Sequence, residues 1–125
     1  MNLNQVTLPA VDLEASVGFY QRLGLRLIVK DPPRYARFEC PDGESTLSVE
    51  LAGGSTGGTA PVVYFECDDL DGTVERLRAA GIAFDDLPDD KPWLWREARL
   101  RDPAGNRLCL FHAGRNRRFP PWRIG

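Results

Sequence analysis

The chain has 125 residues, 42% of them hydrophobic, and a formal net charge of -2, a size and composition that fit one globular domain and exclude fibrous and low-complexity architectures. The charge is uneven: residues 113–125 carry four arginines and no acid, leaving 12 basic against 18 acidic residues, a net -6, in the remainder. An acidic body argues against a broad nucleic-acid surface, and no run approaches the ~20 apolar residues of a membrane helix, so neither nucleic acid nor membrane is an expected partner.

In chain order, Leu3 to Leu8 reads as a strand with Val6 and Leu8 on a helix-covered face and Gln5 and Thr7 on the other. Pro9 is expected to end that strand, and Asp12 to cap a helix from Leu13 to Leu23 with Val17, Tyr20 and Leu23 along one side. Gly24 closes the helix where a left-handed residue is wanted. Arg26–Lys30 and Tyr35–Cys40 read as strands flanking Pro32-Pro33, and the Asp42-Gly43 turn leads into a fourth, Ser45–Leu51. In that fourth strand Leu47, Val49 and Leu51 are apolar on one side. Thr46, Ser48 and Glu50 are polar on the other, which either meets solvent or lines a cavity. Residues 52–60, rich in Gly, Ser and Thr, read as a flexible linker.

The same order then returns. Asp12-Leu13 recurs 57 positions on as Asp69-Leu70, Ser16-Val17 as Thr73-Val74, and Gly24-Leu25 as Gly81-Ile82. The second copy reads as a strand Val62–Cys67, a helix Leu70–Ala80 with Val74 and Leu77 inward, and a strand Ile82–Leu87. A solvated acidic stretch, 85–90, follows, and then two strands, Trp95–Arg101 and Arg107–Phe111, joined by the turn Asp102-Pro103-Ala104-Gly105-Asn106. Two such units in so short a chain must share a core. The organisation expected is a single α+β domain over 1–112, with modules 1–51 and 61–112, and a basic aromatic tail over 113–125.

Cys40, Cys67 and Cys109 are odd in number and without a Cys-x-x-Cys pair, so free thiols in a reducing compartment are expected. The first residues show neither the basic region nor the apolar run of a secretory signal, and a cytoplasmic location follows as an expectation.

The opening strand, Asp12-Leu13 followed by Phe19-Tyr20 and Leu23-Gly24, the helix end Ala80-Gly81 and the Asp102–Asn106 turn together resemble the vicinal oxygen chelate superfamily. That superfamily holds the glyoxalase I enzymes, bleomycin-resistance proteins and extradiol dioxygenases. The resemblance implies two βαβββ modules forming a curled mixed sheet around a cleft, helices outside, and commonly a homodimer. It also implies that members with metal chemistry hold one divalent cation at four strand positions. Matched motif to motif these are Gln5, Glu50, Val62 and Cys109. Valine has no donor, and a thiolate beside one carboxylate and a neutral amide mixes soft and hard ligands. No metal ligand is therefore assigned, although the three remaining donors leave a divalent ion open.

Gln5, Thr7, Thr46, Ser48, Glu50, Tyr64, Glu66, Arg107 and Cys109 fall on the predicted inner face. Unpaired buried polar groups cost several kcal/mol, roughly, so such a face implies a small-molecule ligand or ordered water. Glu50 is the catalytic candidate, because a partly buried carboxylate without a metal titrates high and can act as a general base. Its alternative is a structural pair with Arg99 or Arg107. Trp93 and Trp95 supply either aromatic walls for the ligand or anchors of a dimer interface. Cys109 reads as a buried inert thiol or, with Arg107 two residues away, as a nucleophile. His112, the only histidine, reads as a strand-end residue, and one imidazole falls short of the two expected of an extradiol dioxygenase. The tail is expected to dock, across a partner subunit or over the cleft mouth. The function expected is binding of a small molecule in a metal-free or metal-poor cleft, as in the bleomycin-resistance branch. The alternative is a metal-dependent lyase or isomerase of the glyoxalase type using Glu50.

Overall fold

A computed structural model describes residues 2–53 and 60–125; most of the expected linker, 54–59, lies outside the described residues. The chain divides into two compact units, one built from the chain through Pro61 together with Asp102–Asn106, the other from Val62–Arg101 and Arg107–Gly125.

In the first unit the elements are β1 (Gln5–Ala10), α1 (Leu13–Leu23), β2 (Arg26–Asp31), β3 (Tyr35–Glu39) and β4 (Thr46–Leu51). They form a four-stranded sheet in the order β1-β4-β3-β2, with β1 parallel to β4 and the other pairs antiparallel. Asp12 caps α1, its Oδ1 accepting from Ala15 N at 3.2 Å, and Gly24 ends it at φ 111°, where a side chain would be strained. Leu13, Val17 and Tyr20 of the helix are buried, as are Leu8, Ala36, Phe38, Leu47 and Val49 of the strands, and the Tyr20 and Phe38 rings lie 5.6 Å apart. One expectation fails here. Pro9 does not end β1, which runs through it to Ala10 opposite Leu51. Since β1 is an edge strand, paired only with β4, a missing N–H at Pro9 costs the ladder nothing.

The turn Asp102–Asn106 completes this unit with a buried polar knot. Asp102 Oδ1 accepts from Ala104 N at 3.0 Å and Asn106 N at 2.8 Å, while Oδ2 accepts from Tyr20 Oη and Asn106 Nδ2, each at 2.7 Å. Asn106 Nδ2 also donates to the Pro9 carbonyl at 2.8 Å. Burial, and then the Asp102 charge, push the Tyr20 hydroxyl far above the usual phenol range, which keeps it a donor.

In the second unit the elements are β5 (Val62–Glu66), α2 (Leu70–Ala79), β6 (Asp89–Asp90), β7 (Arg96–Arg101), β8 (Arg107–His112) and α3 (Arg115–Arg118). The sheet order β5-β8-β7-β6 repeats that of the first unit strand for strand, again with one parallel pair, β5 and β8. Asp69 caps α2 through Gly72 N at 3.1 Å. Leu70, Val74 and Leu77 are buried, as are Ile82, Ala98, Leu100, Leu108 and Leu110. The strand expected over Ile82–Leu87 does not form. Ile82 is drawn into the core, and the N–H groups of Asp85 and Asp86 both turn to the Arg99 carbonyl, at 2.8 and 3.2 Å. Regular pairing starts only at Asp89 and Asp90, opposite Glu97 and Arg96, past Pro88, which has no N–H to offer.

The tail anchors on its own unit. Glu66 Oε2 accepts from the N–H groups of Ala113 and Gly114, both at 2.8 Å, and Arg117 Nε lies 3.7 Å from Glu66 Oε1. The guanidinium groups of Arg115, Arg118 and Arg123 stand 5.3, 5.5 and 4.4 Å from the centre of the Phe119 ring, within cation–π range. No helix among the described residues is long and apolar enough to cross a membrane.

Candidate functional site

Strand alternation leaves one face of each sheet to the helix and the other to polar residues. In the first unit that second face is a neutral, hydroxyl-rich network. Gln5 Nε2 donates to Ser48 Oγ at 2.9 Å and Thr7 Oγ1 at 3.3 Å, and Thr46 Oγ1 donates to Gln5 Oε1. Ser48 is fully buried and shares a 2.6 Å hydrogen bond with Tyr35 Oη, which in turn accepts from Arg37 Nε at 2.9 Å. Glu50 stands apart from this network: it is exposed at the end of β4, opposite Pro9 and Tyr35, and lines a hollow of about 260 Å³ with Thr7 and Pro9. Electrostatically its neighbour is Arg34, whereas Arg99 hydrogen-bonds to Glu97 and Tyr64.

The second unit's face is ionic and aromatic. Register aligns Tyr64, Cys109 and Arg99 in one row, and Glu66, Phe111 and Glu97 in the next. At its centre is Glu97, only 2% exposed. Its Oε2 accepts from Trp93 Nε1 at 2.6 Å and its Oε1 from Arg99 Nη2 at 3.1 Å. The Trp93 contact depends on a tight loop between β6 and β7, in which Leu94 N donates to Lys91 O at 3.0 Å and Leu94 adopts φ 68°. A leucine in that left-handed region costs about 1–2 kcal/mol, offset here by the charge-assisted bond to Glu97.

Cys109 is fully buried beside this carboxylate. Burial, and then the Glu97 charge, push its thiol up to about 12, so at neutral pH it is a thiol and not a thiolate nucleophile. Phe111 is wedged between two aromatic rings, stacked on Trp95 at 4.6 Å and edge-on to Tyr64 at 5.6 Å. Tyr64 and Trp93 each keep 44% of their surface exposed.

Of the residues predicted from sequence, Gln5, Thr7, Thr46 and Ser48 share one network, and Tyr64, Trp93, Trp95 and Cys109 share another with Glu97 and Arg99. Glu66 is occupied in holding the tail, and Arg107 faces Val62 and Arg101 across the sheet. His112 donates from Nδ1 to the Cys67 carbonyl at 2.8 Å. Glu97 is the central residue that the sequence reading passed over. Its signal was present: Ala98 and Leu100 alternate with Glu97, Arg99 and Arg101, and the apolar pair assigns the charged triplet to the opposite face.

The donor set does not fit a divalent ion. Val62 has no donor atom, Cys109 would set a soft sulfur ligand beside one carboxylate and a neutral amide, and Gln5 spends its amide on three neighbouring hydroxyls. Among the described residues no group of three or more His, Cys, Asp or Glu is placed to hold a metal.

A four-stranded sheet in the order 1-4-3-2, built twice with a helix behind each copy, defines the paired-module α+β fold. The chain belongs to the Glyoxalase/Bleomycin resistance protein/Dioxygenase superfamily, whose family model matches residues 2–110. Among solved structures it is similar to a glyoxalase/bleomycin resistance protein/dioxygenase from Nocardioides, at 29% identity and a TM-score of 0.80, covering 100% of this chain and 90% of that one. TioX from Micromonospora sp. ML1 is 25% identical with a TM-score of 0.72, over 90% of this chain and 99% of that one. A bleomycin resistance determinant encoded on the transposon Tn5 shares the fold at 21% identity and a TM-score of 0.75, over 90% and 98% of the two chains. Comparison with curated proteins gives no match.

Proposed function

We propose that this protein binds a small organic molecule without a resident divalent metal. The observation that carries the reading is the Glu97 cluster: a buried carboxylate, fully partnered by Trp93 and Arg99, beside aromatic rings that are half exposed. A rigid polar anchor next to open aromatic surface suits a planar or amphipathic ligand. Likeness to a bleomycin resistance determinant agrees with such a role at the level of fold. A homodimer fits the same family, and three free cysteines agree with a reducing, cytoplasmic setting.

The glyoxalase-type alternative needs a metal and Glu50 as base, and the donor chemistry of Gln5, Val62 and Cys109 speaks against the first. The test is metal content of the purified protein, together with its melt before and after nickel, zinc, manganese or iron. We expect no stoichiometric metal and no response to chelator. About one ion per chain overturns the reading, as does a metal-dependent rise in stability; a site filled at 100 times its Kd adds about 2.7 kcal/mol. Quenching of Trp93 and Trp95 fluorescence in a screen of planar molecules then reports the ligand.

A further inference from the structure

Three guanidinium groups of the tail converge on one ring. Those of Arg115, Arg118 and Arg123 all lie over Phe119, within 5.5 Å of its centre. A ring has two faces, so at least two of the three cations share one. Backbone contacts build the arrangement: Phe119 N donates to Arg115 O at 2.9 Å, and Arg123 N to Pro120 O at 3.0 Å. Arg123 is held further, its Nη1 donating to Arg118 O at 2.6 Å and its Nε to Gly125 O at 3.3 Å. Arg115 and Arg118 are exposed, and among the described residues neither guanidinium has a carboxylate partner or a hydrogen-bond acceptor. Glu66, the acid that anchors the tail, is taken up by Ala113 N, Gly114 N and Arg117. The sheet of the same unit differs: Arg96 pairs with Asp71 and Asp90, Arg99 with Glu97, and Arg101 with Asp85. An exposed cation over a ring gains about 0.5–1 kcal/mol, which orients these guanidiniums without neutralising them. Each keeps N–H donors of a planar fork matched to the oxygens of an anion.

We infer that Arg115, Arg118 and Arg123 form a site for a phosphate monoester dianion. Charge selects that class. Three cations around one ring exceed what a single carboxylate neutralises, whereas a phosphate monoester carries a charge of about -2 and three acceptor oxygens. Bound between the forks, it removes the repulsion of the guanidiniums that share a face. A long polyanion is disfavoured, because the rest of the chain, residues 1–112, carries 12 basic against 18 acidic residues and repels it. The site shares no residue with the Glu97 cluster, so the small-molecule reading above stands or falls without it.

The test is titration calorimetry of the full chain at low salt with phenyl phosphate, benzoate and benzamide, which hold the ring constant and step the charge from dianion to monoanion to neutral. Phenyl phosphate is expected to bind about tenfold more tightly than benzoate, and benzamide more weakly still, since each charge-assisted bond is worth about one decade in affinity. Arg118→Gln lowers the phenyl phosphate affinity about tenfold. Arg118→Lys, which keeps the charge but loses the fork, lowers it less. Arg118 is exposed, so both variants fold, and a phenyl phosphate affinity equal to the parent's in Arg118→Gln overturns the site. Equal binding of phenyl phosphate and benzamide overturns it too, as does the absence of phenyl phosphate binding at millimolar concentration. Phosphatidylcholine vesicles with and without phosphatidic acid present the same head group on a surface. Binding to the phosphatidic acid vesicles alone, with no affinity for phenyl phosphate, overturns the discrete site in favour of a lipid surface.

Discussion

The two modules share a strand order and differ in what they do with it. In the first, the face away from α1 is a neutral mesh of Gln5, Thr46, Ser48 and Tyr35, and the costly polar group, Asp102, lies inside the unit under Tyr20. In the second, the position 57 residues beyond Tyr20 is Leu77, buried and apolar, and the charge sits on the sheet face instead, at Glu97, Arg99, Arg101 and Arg107. Repetition therefore preserved the scaffold and divided the labour. One unit devotes its buried carboxylate to holding itself together, and the other sets its own, Glu97, on the sheet face beside half-exposed aromatic rings.

The sharpest way to break that division is at Asp102. Replacing Asp102 by Ala removes the acceptor of the Tyr20 hydroxyl, of one Asn106 amide hydrogen bond and of two backbone N–H groups in the core, and a loss of about 3–5 kcal/mol is expected in urea unfolding. Tyr20→Phe, which removes one of those four bonds, is expected to cost about 1.5–3 kcal/mol. A cost below the error of the measurement for both would show that the knot is not what secures the first unit.

The next effect in size is a pH dependence in the second unit. The thiol of Cys109 titrates at about 12 when folded and near 8.5 in an unfolded chain. A folded pKa raised above the unfolded one gives stability that is intact below the unfolded value and is lost as pH climbs toward the folded one. Between pH 8.5 and 11 the parent should therefore lose about 3 kcal/mol more than Cys109→Ala does. Parallel decline of the two proteins would show that the thiol is not held in its neutral form by Glu97 and burial. The smallest effect belongs to the first unit's face: Ser48→Ala removes two hydrogen bonds from a fully buried site and is expected to cost about 1 kcal/mol, without changing the binding of any aromatic probe.

Much of the fold was readable because it rests on local chemistry stated twice. Asp12 and Asp69 both cap helices, Gly24 and Gly81 both take positive φ, at 111° and 90°, and the alternation of Leu47 and Val49 marked the core side of β4. What escaped had its cause at a distance in the chain. Nothing near Pro9 announces that its strand is an edge strand, so the proline looked like a terminator. The apolar run at Ile82 looked like a strand because only the tertiary structure turns Asp85 and Asp86 toward the Arg99 carbonyl. Glu97 was overlooked for a similar reason: an acid between arginines reads as a solvated charge until the Trp93 loop closes over it. Glu50, by contrast, drew notice through motif position, and its exposure at the strand end sets it apart from the buried carboxylates.

The turn Asp102–Asn106 is encoded between β7 and β8 yet belongs to the first unit. On the ribosome this makes the amino-terminal half wait. When Pro61 has been joined, that half has all of its strands and its helix but lacks the acceptor for Tyr20, and 45 more residues must be made before Asn106 exists. At 5–20 residues per second that is a delay of roughly 2–9 s. During it the Tyr20 hydroxyl has no Asp102 to bond. The halves should accordingly fail as separate products when the chain is divided near residue 61, and should recover when both pieces are supplied together.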